Sequence, residues 1–228
     1  MPTVRALEPI PHQPSRRRVV LSDGEAIELS LEVILAADLV PDKTVSPSAL
    51  AEAQRTDSLK QAEHDALAML GRKALSVAEL KAKLAANGYD QETIDRVIIQ
   101  CREWGYLDDR RLAEAVIAEG VELKHHGPMR IRQRLRARKI DPDLVEQAER
   151  KLAPGQPPLL EQALAALKTK ERAYARLTPE VARRRMTAFL QRRGFDFDTI
   201  REAMRRFGRA LDEAEASTGG DQSGGEDA

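Results

Sequence analysis

SVAELKAKLAANGYDQETIDRVIIQCREWGYLDD, residues 76–109, decides how this chain folds. Leu80 and Leu84 lie four positions apart, on one face of a helix that Ser76 and Glu79 open as a capping box. Gly88 follows where a helix ends in a left-handed residue, and Tyr89 folds back as an apolar contact. Asp90 caps the next helix, whose buried stripe is Ile94, Val97 and Ile98. Gly105 breaks it, and Asp108 is placed to cap a further helix from Asp109. The same spacing returns twice. Leu80, Leu84, Gly88, Tyr89, Ile94 and Val97 are matched by Ile131, Leu135, Lys139, Ile140, Val145 and Ala148, and again by Met186, Leu190, Gly194, Phe195, Ile200 and Ala203. The copies start about fifty residues apart, a period that signals stacked helical units.

Working outward, the expected architecture is all-α: three tandem three-helix repeats in an elongated, curved array, preceded by a small hairpin-plus-helix cap. Residues 1–15 hold Pro2, Pro9, Pro11 and Pro14 with little to bury, and are expected to be disordered. Residues 16–56 form the cap. In it Asp23-Gly24 separates the apolar runs 19–21 and 27–29, which reads as a hairpin, and a short helix spans 31–39. Pro47 opens another helix, and a separate helix is expected over 59–70. The repeats occupy 57–106, 107–153 and 154–210. In the second, a long helix from 109 to 124 precedes helices opened by Gly127-Pro128 and Asp141-Pro142. The third has helices at 159–174, 178–193 and 198–207. Residues 211–228, acidic and glycine-rich, are expected to be a disordered tail.

Composition agrees with a helical, soluble class. Charged residues are 32% of the 228, aromatics 4%, and the formal net charge is zero. Cys101 is the single cysteine, which fits a reducing compartment. No apolar run reaches the length of a membrane span and the proline-rich start has no signal-peptide core, so a cytoplasmic protein without membrane contact is expected.

Catalytic patterns are missing from the sequence. His12, His64, His125 and His126 lack the i,i+4 pairing or cysteine partners of a zinc site, and the adjacent His125-His126 read as a solvated helix end. There is no Walker loop, nucleophile elbow or dinucleotide fingerprint. Cys101 falls on the buried stripe beside Ile98, and Asp108-Asp109 stand where helix-capping acids stand. We expect no catalytic residues, no metal and no cofactor.

Charge segregation is the better lead. KHHGPMRIRQRLRARK, residues 124–139, carries Lys124, Arg130, Arg132, Arg134, Arg136, Arg138 and Lys139 with no acid among them. With Ile131 and Leu135 turned to the core, Arg132 and Arg136 flank one side and Arg130 and Arg134 the other. A second acid-free run on the equivalent helix of the third repeat holds Arg183, Arg184, Arg185, Arg192 and Arg193. Like charges at i,i+4 repel. Their repetition points to an anionic partner, either phosphates or an acidic protein surface. No aromatic stripe accompanies them, so any nucleic-acid contact would be to the backbone of single- or double-stranded DNA.

These stretches resemble the RecX family, bacterial regulators of the RecA recombinase. The resemblance rests on SVAELKAKLAANGYDQETIDRVI, WGYLDDRRLAEAVI, HGPMRIRQRLRARKIDPDLVEQA and FLQRRGFDFDTIREAM, and covers residues 59–207. Its most specific parts are Gly105-Tyr106-Leu107-Asp108-Asp109 and Arg192-Arg193-Gly194-Phe195 with Ile200. Lys139 departs from the family's glycine, and Leu112 from its common phenylalanine. The resemblance implies a non-enzymatic protein that lies in the groove of the RecA nucleoprotein filament and inhibits filament extension, ATP hydrolysis and strand exchange, within recombinational DNA repair and the SOS response; a monomer is expected. The two arginine-bearing helices would line its concave contact surface. Two other classes stay open: a non-sequence-specific DNA-binding repeat protein, and a helical scaffold for an unrelated acidic protein.

Overall fold

The computed structural model describes the backbone of residues 1–219 and side chains through Arg209. The chain divides into two compact units, the first ending at Asp108 and the second beginning at Asp109.

The first unit opens with a three-stranded antiparallel sheet, β1 (Val4–Ile10), β2 (Gln13–Leu21) and β3 (Ala26–Ser30), with β2 in the centre. Asp23-Gly24 makes the β2–β3 turn, with Asp23 Oδ1 accepting from the Glu25 amide at 3.1 Å. The expectation of a disordered start is corrected here, because residues 4–10 pair with β2. Proline does not prevent this. Pro9 lies on an edge strand, and Pro14 precedes the part of β2 that pairs with β3. Val4, Val19, Leu21 and Leu29 then close a core against Val33 and Ile34 of α1 (Leu31–Ala36), a helix capped by Ser30.

The helix expected at Pro47 and the one expected over 59–70 are a single element, α2 (Pro47–Arg72). The 47–72 stretch contains no proline beyond its first residue, and its only glycine falls in the last turn, so nothing breaks it. Leu50 and Ala53 pack into the cap, Ala62 and Ala66 into the first repeat. Between them sits Asp57, 4% exposed. Its carboxylate accepts from the Ser30 amide at 2.8 Å and from Arg16 Nη2 at 2.9 Å, pinning the sheet to the helix with its charge paired.

The first repeat is completed by α3 (Val77–Ala86) and α4 (Gln91–Glu103). Ser76 and Glu79 form the reciprocal capping box. Gly88 is left-handed at φ +92°, and Asp90 caps α4 through the Thr93 amide and hydroxyl at 2.8 and 3.0 Å. Tyr89 packs on this core and donates its hydroxyl to Asp65 at 3.0 Å. Burial and the Asp65 carboxylate push that phenol up to about 12. Cys101 is buried, and burial raises its thiol, the opposite of an activated nucleophile.

The second unit holds the other two repeats. α5 (Asp109–Ala118) is shorter than expected. It passes into one π-helical turn, Glu119–Leu123, where Gly120 lies so close to Ile131 that a Cβ would come within 2.9 Å of its Cγ1. α6 (Pro128–Ala137) and α7 (Pro142–Leu152) complete the second repeat around Ala113, Ile117, Ile131, Leu135 and Ile140. In the third, the helix expected over 159–174 is split into α8 (Leu159–Lys168) and α9 (Glu171–Tyr174). α10 (Pro179–Arg193) and α11 (Phe197–Gly219) enclose Leu167, Met186, Leu190, Phe195 and Ile200. Asp196 caps α11 through the Thr199 amide and hydroxyl, both at 2.8 Å, as Asp90 caps α4. The tail expected to be disordered from 211 is thus helical backbone as far as Gly219. Residues 220–228 lie outside the described residues.

Candidate partner-binding surface

The arginine density of α6 is a direct result of its amphipathic pattern. Ile131 and Leu135 are buried, 4% and 0% exposed, so every arginine between and around them is turned outward or sideways. Their fates differ. Arg132 makes a bidentate pair with Glu149 of α7, Nε and Nη2 each 2.8 Å from a carboxylate oxygen. Arg134 is half-buried and pairs with Glu119 of the π turn at 2.9 Å, and Lys124 meets the same carboxylate at 2.7 Å. Two cations hold Glu119 down to about 2. The run that is acid-free in sequence is therefore compensated in space at Lys124, Arg132 and Arg134.

Arg130 is exposed and donates to Gln133 at 2.9 Å, Arg136 and Lys139 are exposed, and Arg138 is half-buried. On α10, Arg183, Arg184, Arg185 and Arg192 are exposed and make no ion pair among the described residues. Arg193 is tucked in. Its guanidinium lies 4.9 Å from the centre of the Phe189 ring, and its Nη1 donates to the Lys124 carbonyl.

That last contact belongs to a joint between the second and third repeats. The N-terminus of α6 abuts the C-terminus of α10. The Gly127 amide donates to the Arg193 carbonyl at 2.7 Å and the Met129 amide to the Gly194 carbonyl at 3.2 Å. Donors left over at one helix start thus satisfy acceptors left over at another helix end. Only glycines allow it. A Cβ on Gly127 would sit 2.5 Å from the Gly194 oxygen, and one on Gly194 would overlap the backbone of Arg130.

Beside the joint is an open cleft of about 580 Å³, lined by Lys124, His125, His126, Arg130, Arg192 and Arg193 over the Phe189 ring. So the structure gathers Lys124, Arg130, Arg192 and Arg193 at one place. Arg183–Arg185 lie about 12 Å back along α10 at 1.5 Å per residue. Arg136, Arg138 and Lys139 lie at the far end of α6. The two histidines are a correction, since neither is a solvated helix end. Both are half-buried in the cleft wall, and the His126 amide donates to the Gly120 carbonyl at 2.8 Å. Burial, and then the positive field of Arg193, Arg134, Arg130 and Lys124, push the His126 imidazole down to about 4. The sequence signal for these residues was the Gly-Pro that follows them, read only as a helix start.

Among the described residues, no helix is long and apolar enough to cross a membrane. Three family models match the chain: the first RecX three-helix domain over residues 62–101, the second over 108–148 and the third over 159–204. The chain belongs to the RecX family. The regulatory protein RecX of Vibrio parahaemolyticus is 36% identical over 140 residues, covering 61% of this chain and 86% of its own. That of Bacillus subtilis is 25% identical over 207 residues, covering 90% and 76%. A crystal structure of regulatory protein RecX matches with a TM-score of 0.60 at 18% identity, over 87% of this chain and 97% of that one. A RecX structure from Lactobacillus salivarius matches at 0.56, over 66% and 97%. The family assignment makes this a regulatory protein. Each matched domain also coincides with one of the separate cores around Leu84, Leu135 and Leu190.

Proposed function

We propose that this protein binds the RecA nucleoprotein filament in the bacterial cytoplasm and restrains it, slowing filament extension, ATP hydrolysis and strand exchange. It acts as a non-enzymatic monomer within recombinational repair and the SOS response. The carrying observation is the exposed arginine set on equivalent helices of two RecX domains: Arg136 on α6, and Arg183, Arg184, Arg185 and Arg192 on α10. These five guanidinium groups, without an acid partner among the described residues, are kept in water at a cost in mutual repulsion, which an anionic partner relieves. A DNA-loaded filament offers both acidic protein and phosphate.

The test is RecA ATP hydrolysis on single-stranded DNA with this protein titrated in. Inhibition at less than one copy per RecA supports the reading. No effect on hydrolysis, together with binding to bare DNA, would replace it with the second reading, a DNA-binding repeat protein that contacts backbone without sequence preference. The charge reversal Arg136→Glu should weaken filament binding while leaving the circular dichroism spectrum and melting unchanged.

A further inference from the structure

The cleft at the joint between α6 and α10 differs from the rest of the basic surface. Arg136 and Arg183–Arg185 are simply exposed on their helices. Here cations from three separate segments converge on one concavity: Lys124 from the link after the π turn, Arg130 from the first turn of α6, Arg192 and Arg193 from the last turn of α10. No acid lines it. The carbonyls at the end of α10, which would otherwise repel an anion, are occupied by the Gly127 and Met129 amides. Arg193 is fixed by the Lys124 carbonyl and the Phe189 ring, so one guanidinium is preorganised, while Arg130, which donates to Gln133, and Arg192 stand exposed at the rim. The His126 imidazole in the wall is pushed down first by burial and then by the same positive field.

We infer that this cleft seats a phosphodiester of a nucleic-acid backbone, clamped between Arg130 and Arg192 above Lys124 and Arg193. The inference rests on the reading that the basic faces meet a DNA-loaded partner, and names which of them takes the DNA. Guanidinium forks match phosphate oxygens bidentately. A base has no place to stack, because Phe189 is 9% exposed and its ring is covered by Arg193. The contact is therefore to backbone and indifferent to sequence.

The experiment is fluorescence anisotropy of a labelled oligonucleotide with the full chain, without RecA, across a salt series. Arg130→Ala/Arg192→Ala removes the rim pair, and neither residue packs in a core. Arg72→Ala/Lys73→Ala removes the same charge from exposed positions at the end of α2, outside the cleft and outside both arginine-bearing helices. The rim double should lose about tenfold in affinity and flatten the salt dependence by about two counterions, while the control keeps most of both. Equal losses in the two doubles would overturn the cleft in favour of diffuse attraction. Two further arms identify the source of the phosphate. A neutral-backbone peptide nucleic acid of the same sequence should not bind; binding would remove the phosphodiester from the explanation. Inorganic phosphate should compete no better than chloride at matched ionic strength; stronger competition would assign the cleft to a free anion instead. The RecA reading fails separately, if wild-type protein binds the oligonucleotide yet leaves RecA hydrolysis untouched.

Discussion

Lys139 holds a left-handed backbone at φ +53°, the position that glycine fills in the other two repeats at +92° and +86°. A side chain there costs about 1–2 kcal/mol. Lys139→Gly removes that strain but adds unfolded-state entropy of about 0.4–1 kcal/mol, leaving a net stabilisation near 0.5 kcal/mol. Gly88→Ala meets only strain, since nothing lies within 4 Å of its Cβ, and should cost about 1 kcal/mol. Gly194→Ala adds overlap with the Arg130 backbone and should cost clearly more. Urea midpoints of the three variants check the order, and a Gly194→Ala protein as stable as Gly88→Ala would refute the joint. This position was legible in the sequence because a helix stop is a local event, and so were the caps at Ser76, Asp90 and Asp141. Titration follows from the same residues. His126 is depressed to about 4 from an ordinary value near 6.5, so its contribution to stability is complete above pH 6.5 and is lost as pH falls toward 4. Glu119, held at about 2, keeps its contribution above pH 4.3 and loses it as pH falls toward 2. His126→Gln should flatten the stability profile between pH 7 and 4, and Glu119→Gln only the part below. A His126→Gln profile as steep as wild type would show that the imidazole is not held neutral.

Ion pairing is decided between elements, which is why the sequence misjudged α6. Arg132 and Glu149 are 17 residues apart, Arg134 and Glu119 15 apart, and only the packing of α6 against its neighbours makes them meet. The same holds for Gly127, readable as a helix opener but not as the point where two repeats touch. β1 was missed for a related reason: its prolines argue against a strand until pairing puts them on an edge. Arg132→Glu therefore confounds partner binding with folding. It should cost about 1 kcal/mol, the usual size for a partly exposed pair. The exchange Arg132→Glu/Glu149→Arg should restore the melting temperature and bind the filament like wild type, because Arg132 is committed to α7. Restored melting with weak filament binding would return Arg132 to the contact surface.

Over the whole molecule, neutrality conceals opposition between body and tail. Residues 212–228 contain six acids and no base, against a formal net charge of zero for the chain, so the remainder carries +6. That excess is concentrated in the acid-free runs 124–139 and 183–193. An acidic segment joined to a basic body competes for its cations at high effective concentration, and more so where screening is weak. Ending the chain at Leu211 should therefore raise affinity for DNA at 50 mM salt by about tenfold, since side chains no longer screened by the acidic segment can displace counterions from the phosphates. The gain should shrink at 300 mM, where the screening length falls to roughly half its 0.1 M value of about 10 Å. Anisotropy titrations of both proteins at the two salts decide it. Equal affinity at low salt would mean that the acids of 212–228 do not reach the basic runs. A gain that persists at high salt would point to a steric obstruction by the segment instead, and would leave the charge of the body fully available in the intact protein.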